Sequence, residues 1–196
     1  MAVRRIVLYK NNPNALRRKS EAVPSMDRRA RRLIRDLKDT LLESADGVGL
    51  AAPQVNVHSR VVVVRLGGGR AEREPGPPVA IINPKILDAG DVQPDFDGCL
   101  SFPGIYGETL RPHVLHLAGL DENGSAFERT FEGFDAVVVH HEIDHLDGIL
   151  FVDRVAKPED LYTIVETDDG ETVRVPFGND ALDKPTQKKE HRGNGL

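Results

Sequence analysis

His141 and His145 stand four residues apart, with Glu142 between them, in the run Val137-Val138-Val139-His140-His141-Glu142-Ile143-Asp144-His145-Leu146-Asp147-Gly148. On an α-helix, residues i and i+4 share a face one turn apart. The two imidazoles then converge on one point, and Glu142 sits about 100° further round the axis. Such a trio can do metal-assisted hydrolysis: the imidazoles hold a cation and the carboxylate moves protons. The helix this requires is predicted from Phe134 to Asp147, with Gly148 as its C-terminal stop. Three successive valines carry strand propensity, yet nothing polar interrupts them. A helix apolar on most sides is expected to be buried, and packing then overrides propensity. A core helix that merely carries two histidines fits the same letters, so a further ligand has to decide.

Downstream candidates for that ligand are poor. Where metzincin proteases extend the motif to HExxHxxGxxH, Gly148 falls on the glycine, but the final histidine position is Phe151, which cannot bind metal. Glu166 lies at a distance that a thermolysin-like enzyme tolerates. It belongs, however, to an alternating run, Tyr162 to Glu166, leading into Asp168-Asp169-Gly170, which reads as a hairpin with solvent-facing acids. The remaining candidate is upstream. Cys99, the chain's one cysteine, lies in Asp97-Gly98-Cys99-Leu100-Ser101-Phe102. A lone cysteine is more often a small buried hydrophobe than a ligand, but a metal on the helix lacks one protein ligand and this is the one soft donor. His58, His113, His116, His140 and His191 have no paired spacing and read as structural.

The elements that must position these residues come next. Arg5 to Tyr9 reads as a first strand and Asn11 to Pro24 as an irregular polar connection. An amphipathic helix is predicted from a Ser25 cap to about Ala45, with Leu33, Ile34, Leu37, Leu41 and Leu42 on its apolar face and Gly47 as its stop. Gly47-Val48-Gly49-Leu50-Ala51-Ala52-Pro53-Gln54 resembles a phosphate loop only superficially, because a helix precedes it and Pro53 disfavours a helix beginning at Ala52. It reads instead as a loop where glycine lets backbone approach a ligand, with the Gln54 amide as a donor. Arg60 to Leu66 and Val79 to Asn83 are predicted strands, the second ended by Pro84, with a Gly/Pro-rich loop from Gly67 to Pro78 between them. Val114 to Leu120 and Ala126 to Phe131 form a hairpin leading into the metal helix.

Length and composition set the bounds. The chain has 196 residues, enough for one domain, and a net charge of −5 that argues against nonspecific nucleic-acid binding despite basic residues at Arg17–Lys19 and Arg28–Arg32. No apolar run approaches the ~20 residues of a membrane span. No signal-peptide pattern opens the chain, and one cysteine suits a reducing cytosol. Beyond Val175 the sequence turns polar, so 177–196 is expected to be a loose tail.

Three blocks, GVGLAAPQ (Gly47 to Gln54), GCLS (Gly98 to Ser101) and HEIDH (His141 to His145), stand in the order found in the peptide deformylases, and the resemblance spans roughly Ile6 to Asp153. It implies an α+β fold, with antiparallel or mixed sheets around the buried HEIDH helix and a single catalytic domain over 1–176. It also implies removal of the N-formyl group from the formylmethionine of new polypeptides, with release of formate. Cys99, His141 and His145 are the metal ligands carried over; three protein ligands leave a position open for water, the mark of a catalytic site. Fe²⁺ is the implied metal, with Zn²⁺, Ni²⁺ or Co²⁺ able to substitute. A metal-bound hydroxide then attacks the formyl carbon, Glu142 serves as base and acid, and the Gln54 amide with the Leu100 N–H holds the oxyanion. The peptide is expected along Val48, Gly49 and the segment after Cys99, and the methionine side chain against Phe134, Val137 and Val138. Asp97, Arg111 and Asp144 are expected behind the ligands. The family usually has Glu at the position of Asp97 and Gly at that of Asn56; the first change is expected to weaken a carboxylate contact, with Arg111 as its partner. One class has a C-terminal helix where Leu161 to Val175 reads here as a hairpin. The bacterial cytoplasm, and the ribosome where formylated chains emerge, complete the expectations.

Two other readings remain open. A zincin-type endopeptidase would cut internal peptide bonds and use a third ligand other than Cys99. A metal-stabilised binding module would have no use for Glu142 beside the metal.

Overall fold

The computed structural model describes residues 2–68, 75–167 and 170–177. In chain order these form helices α1 (Pro13–Arg17) and α2 (Arg28–Leu42), strand β1 (Gly49–Ala51), a 3₁₀ turn (Ala52–Val55) and strands β2 (Val61–Val64), β3 (Val79–Gly98), β4 (Tyr106–Leu120) and β5 (Ala126–Glu132). Helix α3 (Phe134–Leu146), 3₁₀ turns at Phe151–Asp153 and Pro158–Asp160, and strands β6 (Leu161–Glu166) and β7 (Thr172–Pro176) complete them. The seven strands make one sheet in the order β1-β2-β3-β4-β6-β7, with β5 also on β4 and every paired strand antiparallel.

The valine run explains where the core sits. All four residues of β2 are shielded from solvent, and side chains alternate across a strand. Val62 and Val64 pack with Val138, Val139, Ile143 and Leu146 of α3. Val61 and Val63 pack with Leu33, Ile34, Leu37 and Leu41 of α2. The sheet is therefore covered by a different helix on each face here, which is why the strand carries no polar alternation. The same burial holds Val137–Val139 in a helix despite their strand propensity.

Several boundaries differ from the sequence reading. Arg5–Tyr9 is not a strand: Val7 donates to the Gln54 carbonyl and Tyr9 to that of Ser101, so the segment is tied to two loops rather than to a neighbouring strand. The Asn11–Pro24 connection contains α1, capped by Asn12. Helix α2 is capped by Asp27, not Ser25, through Ala30 N–H at 2.8 Å, and it stops at Leu42, well before Gly47. Leu42 is 58% exposed; about 100° from Leu41 on the helix, it turns away from the face that Leu41 buries. Pro84 does not end its strand. β3 continues to Gly98 through two register shifts, Ile82/Lys85 and Ile86/Asp88, the first of which steps past Asn83 and Pro84 where the ladder would need the missing N–H.

The β6–β7 hairpin exists in the chain from Leu161 to Pro176, and Phe177 N–H still binds the Leu161 carbonyl. Residues 178–196, where the loose tail was expected, lie outside the described residues, as do 69–74 of the Gly/Pro-rich loop and Asp168-Asp169 of the turn. Among the described residues no helix is long and apolar enough to cross a membrane.

Candidate metal centre

Helix α3 starts after Gly133 and stops at Leu146 with Asp147 as its C-cap, and Gly148 then takes a positive φ of 73° that suits a glycine stop. Ten of its thirteen residues are buried, including His141, Glu142, Asp144 and His145. Across from them, β3 delivers Asp97 and then the turn that carries Cys99. The donor atoms of Cys99, His141 and His145 lie within 4.8 Å of one another, and among the described residues this is the one such cluster of three or more. Ligands of a single tetrahedral ion sit roughly 3.5 Å apart, so the donor set fits one cation.

Orientation supports the fit. His141 Nδ1 lies 2.7 Å from Asp97 Oδ1, so it donates there and leaves Nε2 for another partner. His145 Nε2 lies 3.2 Å from Cys99 Sγ, while its buried Nδ1 has no hydrogen-bond partner. Burial opposes charge on His141, but the Asp97 carboxylate and the Cys99 sulfur outweigh it and hold its pKa well above the usual histidine value. For His145, burial and then the neighbouring His141 charge push the pKa well below it. One buried, proton-hungry ring beside a sulfur and a neutral ring is a place where a cation can replace the proton.

Glu142 Oε2 is buried with no partner, and burial raises the carboxyl's pKa to about 7. Gly49 explains its position. A Cβ there would meet Glu142 Oε1 at 2.4 Å, so only glycine lets β1 lie against this carboxylate. Gln54 Oε1 accepts from Ala51 N–H at 2.8 Å, which turns its Nε2 toward Cys99 Sγ at 3.5 Å and Ser101 Oγ at 3.3 Å.

Behind this donor cluster lies Arg111, wholly buried. Its Nε and Nη2 donate to Asp97 Oδ2 at 2.9 and 2.8 Å, and its Nη1 to Asp144 Oδ2. Thr109 Oγ1 donates to Asp97 Oδ2 at 2.9 Å. The β3–β4 register sets Asp97 opposite Gly107, two and four residues before Thr109 and Arg111, so Asp97, Thr109 and Arg111 share a face by the two-residue period. Burial alone would raise the Asp97 pKa; the His141 and Arg111 charges reverse it and keep the group well below the usual carboxylate range. His140 Nδ1 accepts from Arg111 Nη1 at 2.8 Å, and burial lowers its pKa to about 4.

A cavity of about 400 Å³ opens on this cluster, and its wall includes Val48, Gly49, Gln54, Cys99, Leu100, Phe134, Val137, Val138 and Glu142. Arg111, Asp144 and His145 stand behind that wall. Sequence reading missed several members of the site: Ser101, which accepts from Gln54; Phe102 and Phe96 on the cavity wall, the latter stacked on Tyr106 at 5.4 Å; and Thr109 and Arg154. Only the Gly-Cys-Leu-Ser neighbourhood carried a signal for the first two. Phe151 is 1% exposed, its ring 6.4 Å from that of His141, so the position where a metzincin has histidine packs against the first histidine of the motif instead. Glu166 is exposed on β6.

The profile of the polypeptide deformylase family matches residues 3–160. The chain belongs to that family. It is 43% identical over 157 residues to the peptide deformylase of Caldicellulosiruptor bescii, covering 80% of this chain and 88% of that one. With the peptide deformylase of Thermomicrobium roseum it shares 40% over 179 residues, 91% and 99% of the two chains. Its fold is similar to the crystal structure of the peptide deformylase from Ehrlichia chaffeensis in complex with actinonin (TM-score 0.72, 36% identity, 80% and 91% covered). As a deformylase it is a metal-dependent enzyme that removes the N-formyl group from newly made polypeptides.

Proposed function

We propose that Cys99, His141 and His145 hold the catalytic ion, Fe²⁺ with Zn²⁺, Ni²⁺ or Co²⁺ able to replace it, and that Glu142 carries the proton traffic of deformylation. The observation that supports this most is the buried Glu142 oxygen without a partner, on the cavity wall beside three donor atoms that a single cation can satisfy. A divalent cation there supplies a Lewis acid and lowers the pKa of water toward neutrality.

The side chains do the rest. Glu142 takes a proton from water as the formyl carbon is attacked, then delivers it to the peptide nitrogen as the C–N bond breaks, leaving formate and a free amine. Buried on the cavity wall, its carboxylate is placed for both halves of that exchange. The Gln54 amide, held by long contacts to Cys99 and Ser101, re-aims with the Leu100 N–H at the developing oxyanion; one such donor is worth about 3 kcal/mol. Asp97, backed by Arg111 and Asp144, fixes the His141 ring.

The peptide pairs with β1, which ends the sheet order and has a free outer edge among the described residues. Val48 and Gly49 line that path. The methionine side chain enters between Val137, Val138 and Phe134. The HEIDH helix is the centre of one catalytic domain over 1–176, working in the bacterial cytoplasm on formylmethionyl chains, near the ribosome that releases them.

Protein purified without oxygen should hold one metal per chain and release formate from a formylmethionyl peptide, and Cys99→Ala should lose the metal. Retention of the ion by that variant, or cleavage of casein without formate release, would sink the assignment.

A further inference from the structure

Behind the ligands, two buried carboxylates share one wholly buried guanidinium. Asp97 and Asp144 are 5% and 4% exposed, and Arg111 is the cation between them. His140 does not supply a second positive charge, because its Nδ1 accepts a hydrogen bond from Arg111 Nη1 at 2.8 Å. Arg154 does. Its Nε donates to Asp144 Oδ2 at 3.0 Å and its Nη2 to Asp144 Oδ1 at 2.6 Å, a two-pronged match of guanidinium to carboxylate. The Arg154 carbonyl accepts from Leu110 N–H at 3.2 Å, so the turn after Phe151–Asp153 is fastened to β4 one residue from Arg111.

We propose that Arg154 is a positioning residue for the metal centre: its charge satisfies Asp144, leaving Arg111 to hold Asp97 and, through Asp97, the ring of His141. The proposal rests on reading Cys99, His141 and His145 as ligands. The chain of contacts runs Arg154–Asp144–Arg111–Asp97–His141 without a gap. Without Arg154, Asp144 competes for the one buried guanidinium, and Asp97 loses the hold that orients the imidazole. Partners that orient a ligand from behind typically change metal affinity by 10–100-fold. The Arg154 side chain is 34% exposed, so replacing it opens no void in the core.

The test uses zinc-loaded enzyme and follows transfer of the ion to a coloured chelator. Arg154→Gln keeps polarity but removes the charge, and should release zinc roughly 10-fold faster, with kcat lowered and KM for a formylmethionyl peptide unchanged. Arg154→Lys restores the charge and should stay within about threefold of wild type. Arg17→Ala, which removes the neighbouring surface pair with Asp153, should release zinc at the wild-type rate. Unchanged release by Arg154→Gln, or equal acceleration by Gln and Lys, overturns the proposal. If Asp97→Asn still releases zinc fast in that case, the ligand assignment stands on its own. If Cys99→Ala does not speed release, the assignment falls and this inference falls with it.

Discussion

Helices α2 and α3 cover opposite faces of the same strand, yet they use burial in opposite ways. In α2, seven of fifteen residues are buried, along one stripe, and Arg28, Arg29, Arg31, Arg32 and Arg35 face water. Apart from Asp36 and Thr40 the stripe is apolar, and Asp36 is met by Arg4 at 2.6 Å. In α3, water is excluded from nearly the whole helix, and four of the ten buried residues are His141, Glu142, Asp144 and His145. An apolar stripe needs only neighbours of the right volume. A buried polar group needs a partner, and Glu142 and His145 each keep an atom without one. Of these two helices, only α3 carries buried side-chain atoms without a partner.

Substitutions can break that contrast, and the largest effect belongs to α3. Glu142→Gln should retain its metal and lose about 10³-fold in formate release, the size of a general acid–base contribution; survival of activity would move the proton traffic elsewhere. Next comes Arg111→Met, which strands Asp97 and Asp144 with half their partners. Urea unfolding should register a loss of about 3–5 kcal/mol, as for a broken buried ion pair.

Acidity sharpens the comparison further. The raised pKa of Glu142 means that the folded chain binds this proton more tightly than the unfolded one, so its contribution to stability is complete below about pH 4.5 and fades as pH rises through about 7. In metal-free protein, Glu142→Gln should therefore gain roughly 3 kcal/mol over wild type at pH 8 relative to pH 4, at 1.36 kcal/mol per pKa unit. A difference independent of pH would contradict the buried carboxylate. For α2, Leu37→Ala deletes a side chain with no exposure and should cost about 3 kcal/mol at every pH. Arg35→Ala on the same helix should shift stability by no more than about 0.5 kcal/mol.

Legibility in the sequence followed the same divide. The stripe of α2 showed through its spacing, and the face shared by His141 and His145 through theirs, because both patterns are local. The caps were less visible: Asp27 and Ser25 are both good N-cap residues, and only the folded geometry selects one. Helix α1 is five residues long, too short for periodicity to register. Cys99 stood out as the one soft donor for a missing ligand, but with forty-odd residues between it and the histidines only the resemblance of three blocks tied it to them. Thr109 and Arg154 had no signal at all. They reach Asp97 and Asp144 through the β3–β4 register and a turn docked on β4, and that register depends on two bulges no propensity reveals.

The contact between Gly49 and Glu142 leaves this enzyme little latitude. Strand β1, proposed to pair with the incoming chain, and the group proposed to shuttle protons share one wall with no side chain to cushion it. Loosening the first to admit bulkier guests would misaim the second. Any redesign for broader scope must therefore begin at Phe134, Val137 and Val138, the wall residues proposed to meet the methionine side chain, rather than at Gly49.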